Sequence, residues 1–263
     1  INYGQALQSL SAGSTNTLFG DLSSAMQVPV PKLTKTEPWT LTELLEFEKD
    51  VTGMFMSGHP LDHFKFELRY YGITNIADFN EIKETLQIQP NPGRAIKVAG
   101  LIIDVQHRVT KTGKNFGSFA IEDFSGKTEF VLWSEDYIKF QNYLEKGQNV
   151  LLNGFFRPRY NRPNEFDFKV GSINLLESVK QNLTRSLDIN VHAASLTPQF
   201  VDFIESNVKK YPGKSSLRFN VLEPKENLLV SLYSFDKGFQ MNDEMAGFLL
   251  GNPDVEVQVG LVG

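Results

Sequence analysis

The sequence predicts a mixed, mainly β protein built from several small parts. Residues 11–36 are rich in Ser, Thr, Pro and Gly, which is typical of a linker. Residues 95–177 contain five runs rich in β-branched and aromatic residues, several with apolar and polar residues in alternation, which is typical of strands. From Arg185 onward, strand-like and helix-like runs follow one another, which indicates a small α+β domain. The predicted division is 1–36 helix tail and linker, 37–93 helical connecting segment, 94–178 barrel and 179–263 C-terminal α+β domain.

The overall composition excludes several classes of function. The 26 Lys and Arg stand against 31 Asp and Glu, so any nucleic-acid surface must be a local basic patch. The absence of cysteine excludes disulfides, thiolate metal sites and cysteine nucleophiles. No apolar run approaches the roughly 20 residues that span a bilayer, and no signal peptide is recognisable, so we expect a cytoplasmic protein. The first residue is not Met, and we expect the chain to be a piece of a longer protein.

The linker contains two adjacent large apolar residues, Leu18 and Phe19, in the stretch TNTLFGD. No periodic pattern around them predicts a helix or strand that would bury them. One interpretation is a loop that packs onto its own domain. The other is a short linear motif that places a Leu-Phe pair in a pocket of a partner protein.

The connecting segment is predicted to be helical. A helix follows Pro38, with Thr40 as its N-cap and apolar residues at helical spacing. In the next stretch, SGHPLDHF, Gly58 suits a C-cap and Pro60 suits the first turn of a second helix. A metal site at His59, Asp62 and His63 is the alternative, but Pro60 interrupts the helix that would present these side chains together. Structural capping is therefore the preferred interpretation.

Residues 95–177 give the clearest pattern. Three strands come first, AIKVAGLIIDVQHRVT, FGSFAIEDF and KTEFVLW, with Ser125-Gly126 as a hairpin turn between the last two. An amphipathic helix follows, with Ser134 as N-cap and Gly147 at its end, and then two more strands around the polar loop 161–164. Three strands, a helix and two strands is the order of a five-stranded OB-fold barrel. Gly100 and Gly154 fit the bends that so small a barrel requires.

The C-terminal part alternates strands and helices. SLDINV is predicted as a strand, and TPQFVDFIESNVKKY as a helix with Thr197 as N-cap and Pro198 in its first turn. Two strands, a short helix from NDEMAGFLLG and a last strand, VEVQVG, complete it. This order predicts a small α+β domain with a mixed or antiparallel sheet.

A basic, aromatic surface is predicted at two loops of the barrel. Between Arg94 and Asn115 there are five Lys or Arg against one acid, Asp104. Basic groups can follow a phosphate backbone while exposed rings stack on unpaired bases. Phe119 and Phe130 are expected in the core, and an ordinary solvated rim is the alternative for the charges. The candidate nucleic-acid-binding residues are Arg108, Lys111, Lys114, Phe116, Arg157, Arg159, Tyr160 and Arg162.

No catalytic motif is recognisable. The adjacent carboxylates Glu122 and Asp123 lie on a predicted strand, so they point to opposite faces and cannot converge on one metal or proton. No phosphate-binding loop, zinc-protease motif or nucleophile elbow is present. We therefore predict no active site and no cofactor in this chain.

The order of several short words in the sequence resembles one family. SGHPL ahead of TKTGKNFGSFAIEDFSGK, followed by a terminal α+β domain, is similar to the C-terminal region of the bacterial replicative DNA polymerase III alpha subunit. The resemblance implies that the OB-fold contacts single-stranded template DNA and that the last domain docks the tau subunit of the clamp loader. It also implies a sliding-clamp motif at Thr15, Leu18 and Phe19, with Thr15 where the family usually has Gln.

The resemblance further implies an enzyme of which this chain is a non-catalytic part. The parent activity is template-directed nucleotidyl transfer with two metal ions, and the family's catalytic carboxylates lie before Ile1. Two alternatives remain. The first is the anticodon-binding barrel of a class II tRNA synthetase, although only about 85 residues follow the barrel. The second is an assembly module that binds proteins alone.

Overall fold

The computed structural model describes Gln8 and residues 38–39, 41–53, 55–86, 93–159, 162–223, 225, 228–233 and 238–262. The predicted clamp motif at Thr15, Leu18 and Phe19 lies outside these residues, as does Tyr160. Within the described part of the chain, no helix is long and apolar enough to cross a membrane.

The connecting segment is helical, as the sequence predicts. Its elements in chain order are α1 (Leu41–Thr52), a 3-10 turn (Pro60–Phe64), α2 (Lys65–Tyr70), a short strand β1 (Ile73–Thr74) and α3 (Ile76–Thr85). Asn75 caps α3, because its side-chain oxygen accepts a hydrogen bond from the Asp78 N–H.

The stretch SGHPLDHF caps the start of the 3-10 turn, as predicted, but Gly58 is not the predicted C-cap, because α1 ends at Thr52 and Gly53 follows it with φ at +81°. The His59 Nδ1 accepts the Leu61 N–H at 3.1 Å, and the Asp62 carboxylate accepts the His59 N–H at 2.6 Å. Each side chain therefore satisfies a backbone donor at the start of the turn. Burial lowers the pKa of His59, which keeps the ring neutral and able to accept this bond.

The same region fixes the connecting segment to a hairpin of the barrel. The His59 ring packs against Phe124 with centroids 4.5 Å apart, and Lys49 pairs with Glu122 at 3.0 Å. The Asp123 carboxylate accepts the Ile76 N–H at 2.8 Å. Glu122 and Asp123 thus contact different groups, as predicted, although Asp123 lies in the turn after β3 and not on the strand, where its carboxylate also accepts the Ser125 N–H.

The barrel region has the strand order of an OB-fold. Its elements are β2 (Ala95–Val109), β3 (Asn115–Glu122), β4 (Lys127–Trp133), α4 (Ser134–Phe140), β5 (Asn149–Arg159) and β6 (Arg162–Leu175). The sheet order is β4-β3-β2-β5-β6 with antiparallel neighbours, and β1 adds to β2 in parallel. The predicted mainly β fold with an OB-fold domain is confirmed.

The barrel is not closed, in contrast to the prediction. In the described residues, β4 pairs only with β3 and β6 pairs only with β5, so a gap separates β4 from β6. Closing a five-stranded sheet requires the two end strands to meet in register. A cluster of Phe rings lines the gap between the end strands, and Phe79 of α3 packs against Phe130, Phe156 and Phe168.

Local details of the barrel follow the sequence in part. Phe119 and Phe130 are buried, as predicted. A Cβ on Gly154 would lie 2.3 Å from the Lys169 carbonyl oxygen, so only glycine fits at this bulge of β5. Ser134 is not the N-cap of α4. Trp133 occupies that position without a side-chain bond, and Ser134 is the first helical residue, with φ at 47°.

The C-terminal part is the predicted α+β domain with a mixed sheet. Its elements are α5 (Leu176–Leu183), β7 (Thr184–His192), α6 (Pro198–Lys210), β8 (Pro212–Gly213), β9 (Ser216–Glu223), β10 (Leu228–Tyr233), β11 (Gly238–Phe239), α7 (Asp243–Leu250) and β12 (Val255–Leu261). The main sheet has the order β10-β9-β7-β12, with β7 and β9 parallel. Thr197 caps α6 by accepting the Phe200 N–H, as predicted.

Candidate nucleic-acid interface

Three neighbouring strands bring Arg108, Phe116 and Trp133 into one row on the outer face of the sheet. In the strand register Arg108 lies opposite Phe116, and Phe116 lies opposite Trp133. Directly opposed residues on one face of a sheet have Cβ atoms about 4.5–5.5 Å apart, so their side chains are neighbours. We call these three residues the aromatic row.

The two rings of the aromatic row stack on each other. The ring centroids of Phe116 and Trp133 are 4.8 Å apart and the ring planes differ by 17°. Trp133 is 52% exposed, and the predicted candidate Phe116 is half-buried beneath it. An exposed indole held by a neighbouring ring is a rigid surface on which an unpaired base can stack.

The sheet beside the aromatic row is shallow and polar. The next row across the strands contains Gln106, Ser118 and Val131. The row after that contains Asp104, Ala120 and Glu129. The uncharged row of Gln106, Ser118 and Val131 is therefore followed by two carboxylates.

The basic loop between β2 and β3 is compact and adjoins the aromatic row. The Thr110 N–H donates to the Lys114 carbonyl at 2.8 Å, and the Thr110 side chain accepts the Lys114 N–H at 3.0 Å. Gly113 has φ at +77°, a conformation that favours glycine. Lys111 and Lys114 are exposed, like Arg108 at the end of β2. The structure therefore brings together four of the predicted residues, namely Arg108, Lys111, Lys114 and Phe116.

The predicted arginines of β5 and β6 have a different environment. Arg159 donates to Asp167 at 2.6 Å and to Glu165 at 2.8 Å, and Arg162 donates to Glu165 at 3.0 Å. The hydrogen bond that Arg159 donates to Asp167 is the main cause that raises the pKa of Arg159. Two of the three arginines therefore have partners, while Arg157 is exposed and forms no ion pair among the described residues. β6 begins at Arg162, so most of the predicted polar loop 161–164 is strand.

Trp133 is a candidate site residue that the sequence analysis did not select. The exposure of Trp133 could have been predicted from the alternation of β4. Phe130 and Leu132 point inward, so Val131 and Trp133 must point outward. Within the described residues, no group of three His, Asp or Glu side chains could hold a metal ion.

Two parts of the chain match models of known protein families. Residues 96–176 match a family described as OB-fold nucleic acid binding domain, in agreement with the strand order. Residues 187–260 match the DNA polymerase III alpha subunit, C-terminal domain. The predicted resemblance to the C-terminal region of that subunit is therefore confirmed.

Curated relatives agree over most of the chain. The DNA polymerase III subunit alpha of Vibrio cholerae is 27% identical over 192 residues, which is 70% of this chain and 15% of that protein. The subunit of Haemophilus influenzae is 24% identical over 225 residues, which is 82% of this chain and 18% of that protein. The chain thus spans less than a fifth of the length of these relatives.

Matches to solved structures cover a smaller part of this chain. The mitochondrial single-stranded DNA binding protein Rim1 of S. cerevisiae has a TM-score of 0.25 and 17% identity, and the match covers 31% of this chain and 92% of that protein. The second OB-fold domain of replication protein A from Methanococcus maripaludis has a TM-score of 0.23 and 19% identity, covering 33% and 87%.

Proposed function

We propose that this chain is a non-catalytic C-terminal part of a bacterial replicative DNA polymerase, and that its OB-fold binds the single-stranded template. The observation that carries the proposal is the aromatic row beside the exposed Lys111 and Lys114. Similarity to DNA polymerase III alpha subunits supports the setting in DNA replication. The parent enzyme would be a DNA-directed DNA polymerase, and the lack of an active site in this segment remains a prediction.

The geometry favours a single strand over a duplex. The exposed face of Trp133 offers stacking, which requires a base that is free of its neighbours. A basic loop alone would bind either form, because both carry phosphates. The combination therefore predicts a preference for unpaired DNA, and it predicts that the affinity for DNA falls as salt is added.

The basic loop provides the first test. Changing both Lys111 and Lys114 to Ala should weaken single-strand binding and reduce the slope of log affinity against log salt by about 1.4, since each contacted phosphate of a single strand contributes about 0.7. The slope is measured by fluorescence anisotropy of a labelled oligonucleotide over a salt series. A matched control removes two exposed lysines elsewhere, Lys146→Ala and Lys209→Ala. If the loop variant keeps the parent slope, the loop does not contact phosphates.

A second part of the proposed function is attachment to other replication proteins. The segment with Thr15, Leu18 and Phe19 remains the proposed clamp-binding motif, and the C-terminal domain remains the proposed docking site for a clamp-loader subunit of the tau type. One observation supports a protein partner for this domain. The edge strand β10 has exposed apolar side chains on both faces, 40–61% exposed at Leu228, Leu229, Val230, Leu232 and Tyr233.

The edge strand provides the second test. Leu229 is 59% exposed and points away from the core, opposite Leu222. Leu229→Glu should therefore preserve the fold but weaken binding to an immobilised tau-type subunit about tenfold, because a buried leucine contributes about 1.5–3 kcal/mol. Ile138→Glu on α4, also exposed, is the matched control. Equal retention of both variants would place the partner elsewhere.

The RNA alternative has its own discriminating measurement. An anticodon-binding barrel would bind a tRNA anticodon stem-loop more tightly than a DNA oligonucleotide of the same loop sequence. The proposed function predicts no such preference, because stacking and phosphate contacts do not require the 2′-hydroxyl.

A further inference from the structure

The gap between β4 and β6 is a cleft of about 550 Å³. Its walls are the residues 129–133 of β4 and 166–170 of β6, and Phe79 of α3 lies at its base. Known small-molecule sites have volumes of about 300–1,000 Å³. One nucleotide would therefore fit in this space.

Both long walls of the cleft are unpaired strand edges. In the described residues, each of β4 and β6 forms a ladder on one side only. The backbone N–H and C=O groups on the other side face the cleft and need polar partners. The edge of a nucleobase carries both donors and acceptors, so it can satisfy such groups.

The interior of the cleft is aromatic. Phe168 is half-buried and lies 5.1 Å from Phe79 and 5.6 Å from Phe130, measured between ring centroids. Flat apolar walls of this kind accept the face of a base. Trp133 and Val131 line the cleft and also belong to the outer face of the sheet, so the cleft is continuous with the aromatic row.

The rim of the cleft is more basic than acidic. Its lining includes Lys83, Arg157, Arg159, Arg162 and Lys169 against Glu129, Asp136 and Asp167. Asp167 pairs with Arg159, and Asp136 pairs with Lys169. Arg157 and Lys83 are exposed and form no ion pair within the described ranges. A phosphate at the rim could therefore be neutralised while its base enters the cleft.

We propose that the cleft between β4 and β6 takes one unstacked base from the strand bound on the aromatic row. This inference rests on the proposed single-strand binding and adds a site for an individual nucleotide. The unpaired edges of β4 and β6 would contact the polar edge of the base, and Phe168 would contact its face. A bound strand then has one position that is more sensitive to removal of its base than the positions beside it.

The experiment combines an abasic scan with closure of the cleft. The probe is a labelled single-stranded oligonucleotide just long enough for full affinity, so that its register is fixed, and each nucleotide in turn is replaced by an abasic one. The chain has no cysteine, so Glu129→Cys together with Asp167→Cys creates the one pair that a bifunctional maleimide can bridge. Glu129 lines the cleft from β4, and Asp167 lines it from β6. The control is the same double variant without the maleimide reagent.

With the cleft open, we expect the strand that lacks the base in the cleft to bind about tenfold more weakly than the intact strand, apart from any penalty at a base that stacks on Trp133. With the cleft bridged, that penalty should disappear, while penalties from stacking on Trp133 should remain. An abasic profile that does not change on bridging would overturn the inference but leave single-strand binding intact. The cleft would then be open to an extended peptide that pairs with β4 or β6. No binding of any single strand, with or without bridging, would overturn the inference and the proposed function together.

Discussion

Trp133→Ala should weaken single-strand binding about tenfold or more. A base stacked on an aromatic side chain contributes about 1–3 kcal/mol, and this variant also removes the ring that holds Phe116 in place. Because Trp133 is 52% exposed, its loss should leave the unfolding free energy nearly unchanged. Anisotropy titrations of one labelled oligonucleotide give the two dissociation constants.

The matched control for this variant is Ile138→Ala. Ile138 is 61% exposed on α4 and lies off the outer face of β2, β3 and β4, so its removal tests the general effect of deleting an exposed apolar side chain. The control should bind as the parent chain does. Equal dissociation constants for Trp133→Ala and the parent would show that the aromatic row is not the contact surface.

Lys180→Met should destabilise the chain by about 3–5 kcal/mol, which is the usual effect of leaving a buried charge without its partner. The Lys180 ammonium lies 2.5 Å from the Glu67 carboxylate and 2.7 Å from Asp243. The side chain of Lys180 is 6% exposed and that of Glu67 is fully buried. Helices α2, α5 and α7 therefore meet at Lys180, which pairs with both carboxylates, and the buried Glu67 cannot regain water when Lys180 is lost.

The double variant Glu67→Met with Lys180→Met distinguishes this cause from a loss of packing. It removes both charges and keeps similar volumes, so its stability should lie closer to that of the parent chain than to the single variant. Urea unfolding followed by circular dichroism gives the free energies. A single variant within about 1 kcal/mol of the parent, a typical error of such comparisons, would show that the pair is not needed.

The sequence predicted the elements of the barrel because their signals are local. The Ser125-Gly126 turn, the alternation in β4 and the helix after it can each be recognised within a few residues. The opening between β4 and β6 could not be predicted in this way. It depends on whether two strands that are far apart in the chain meet in register, and neither strand differs in pattern from one that does.

In the candidate site, too, features that depend on neighbouring residues could be predicted, and features that depend on residues far apart in the chain could not. The basic loop with Lys111 and Lys114 was visible as a local excess of charge, and Trp133 could have been selected by following the alternation of β4 by one more residue. The pairing of Arg159 with Asp167 depends on the register of β5 and β6 and was not foreseen. The pair between Glu67 and Lys180 joins residues 113 positions apart in the numbering of the chain, without any local signal.

The most direct test of the account is a titration of the unmodified chain against a labelled single strand and a duplex of equal length, each at low and at high salt. An OB-fold that holds the template should bind the single strand more tightly at both salt concentrations and should bind both forms more weakly at high salt. Equal affinity for the two forms, or no binding of the single strand at low salt, would contradict the proposal that the OB-fold holds the template.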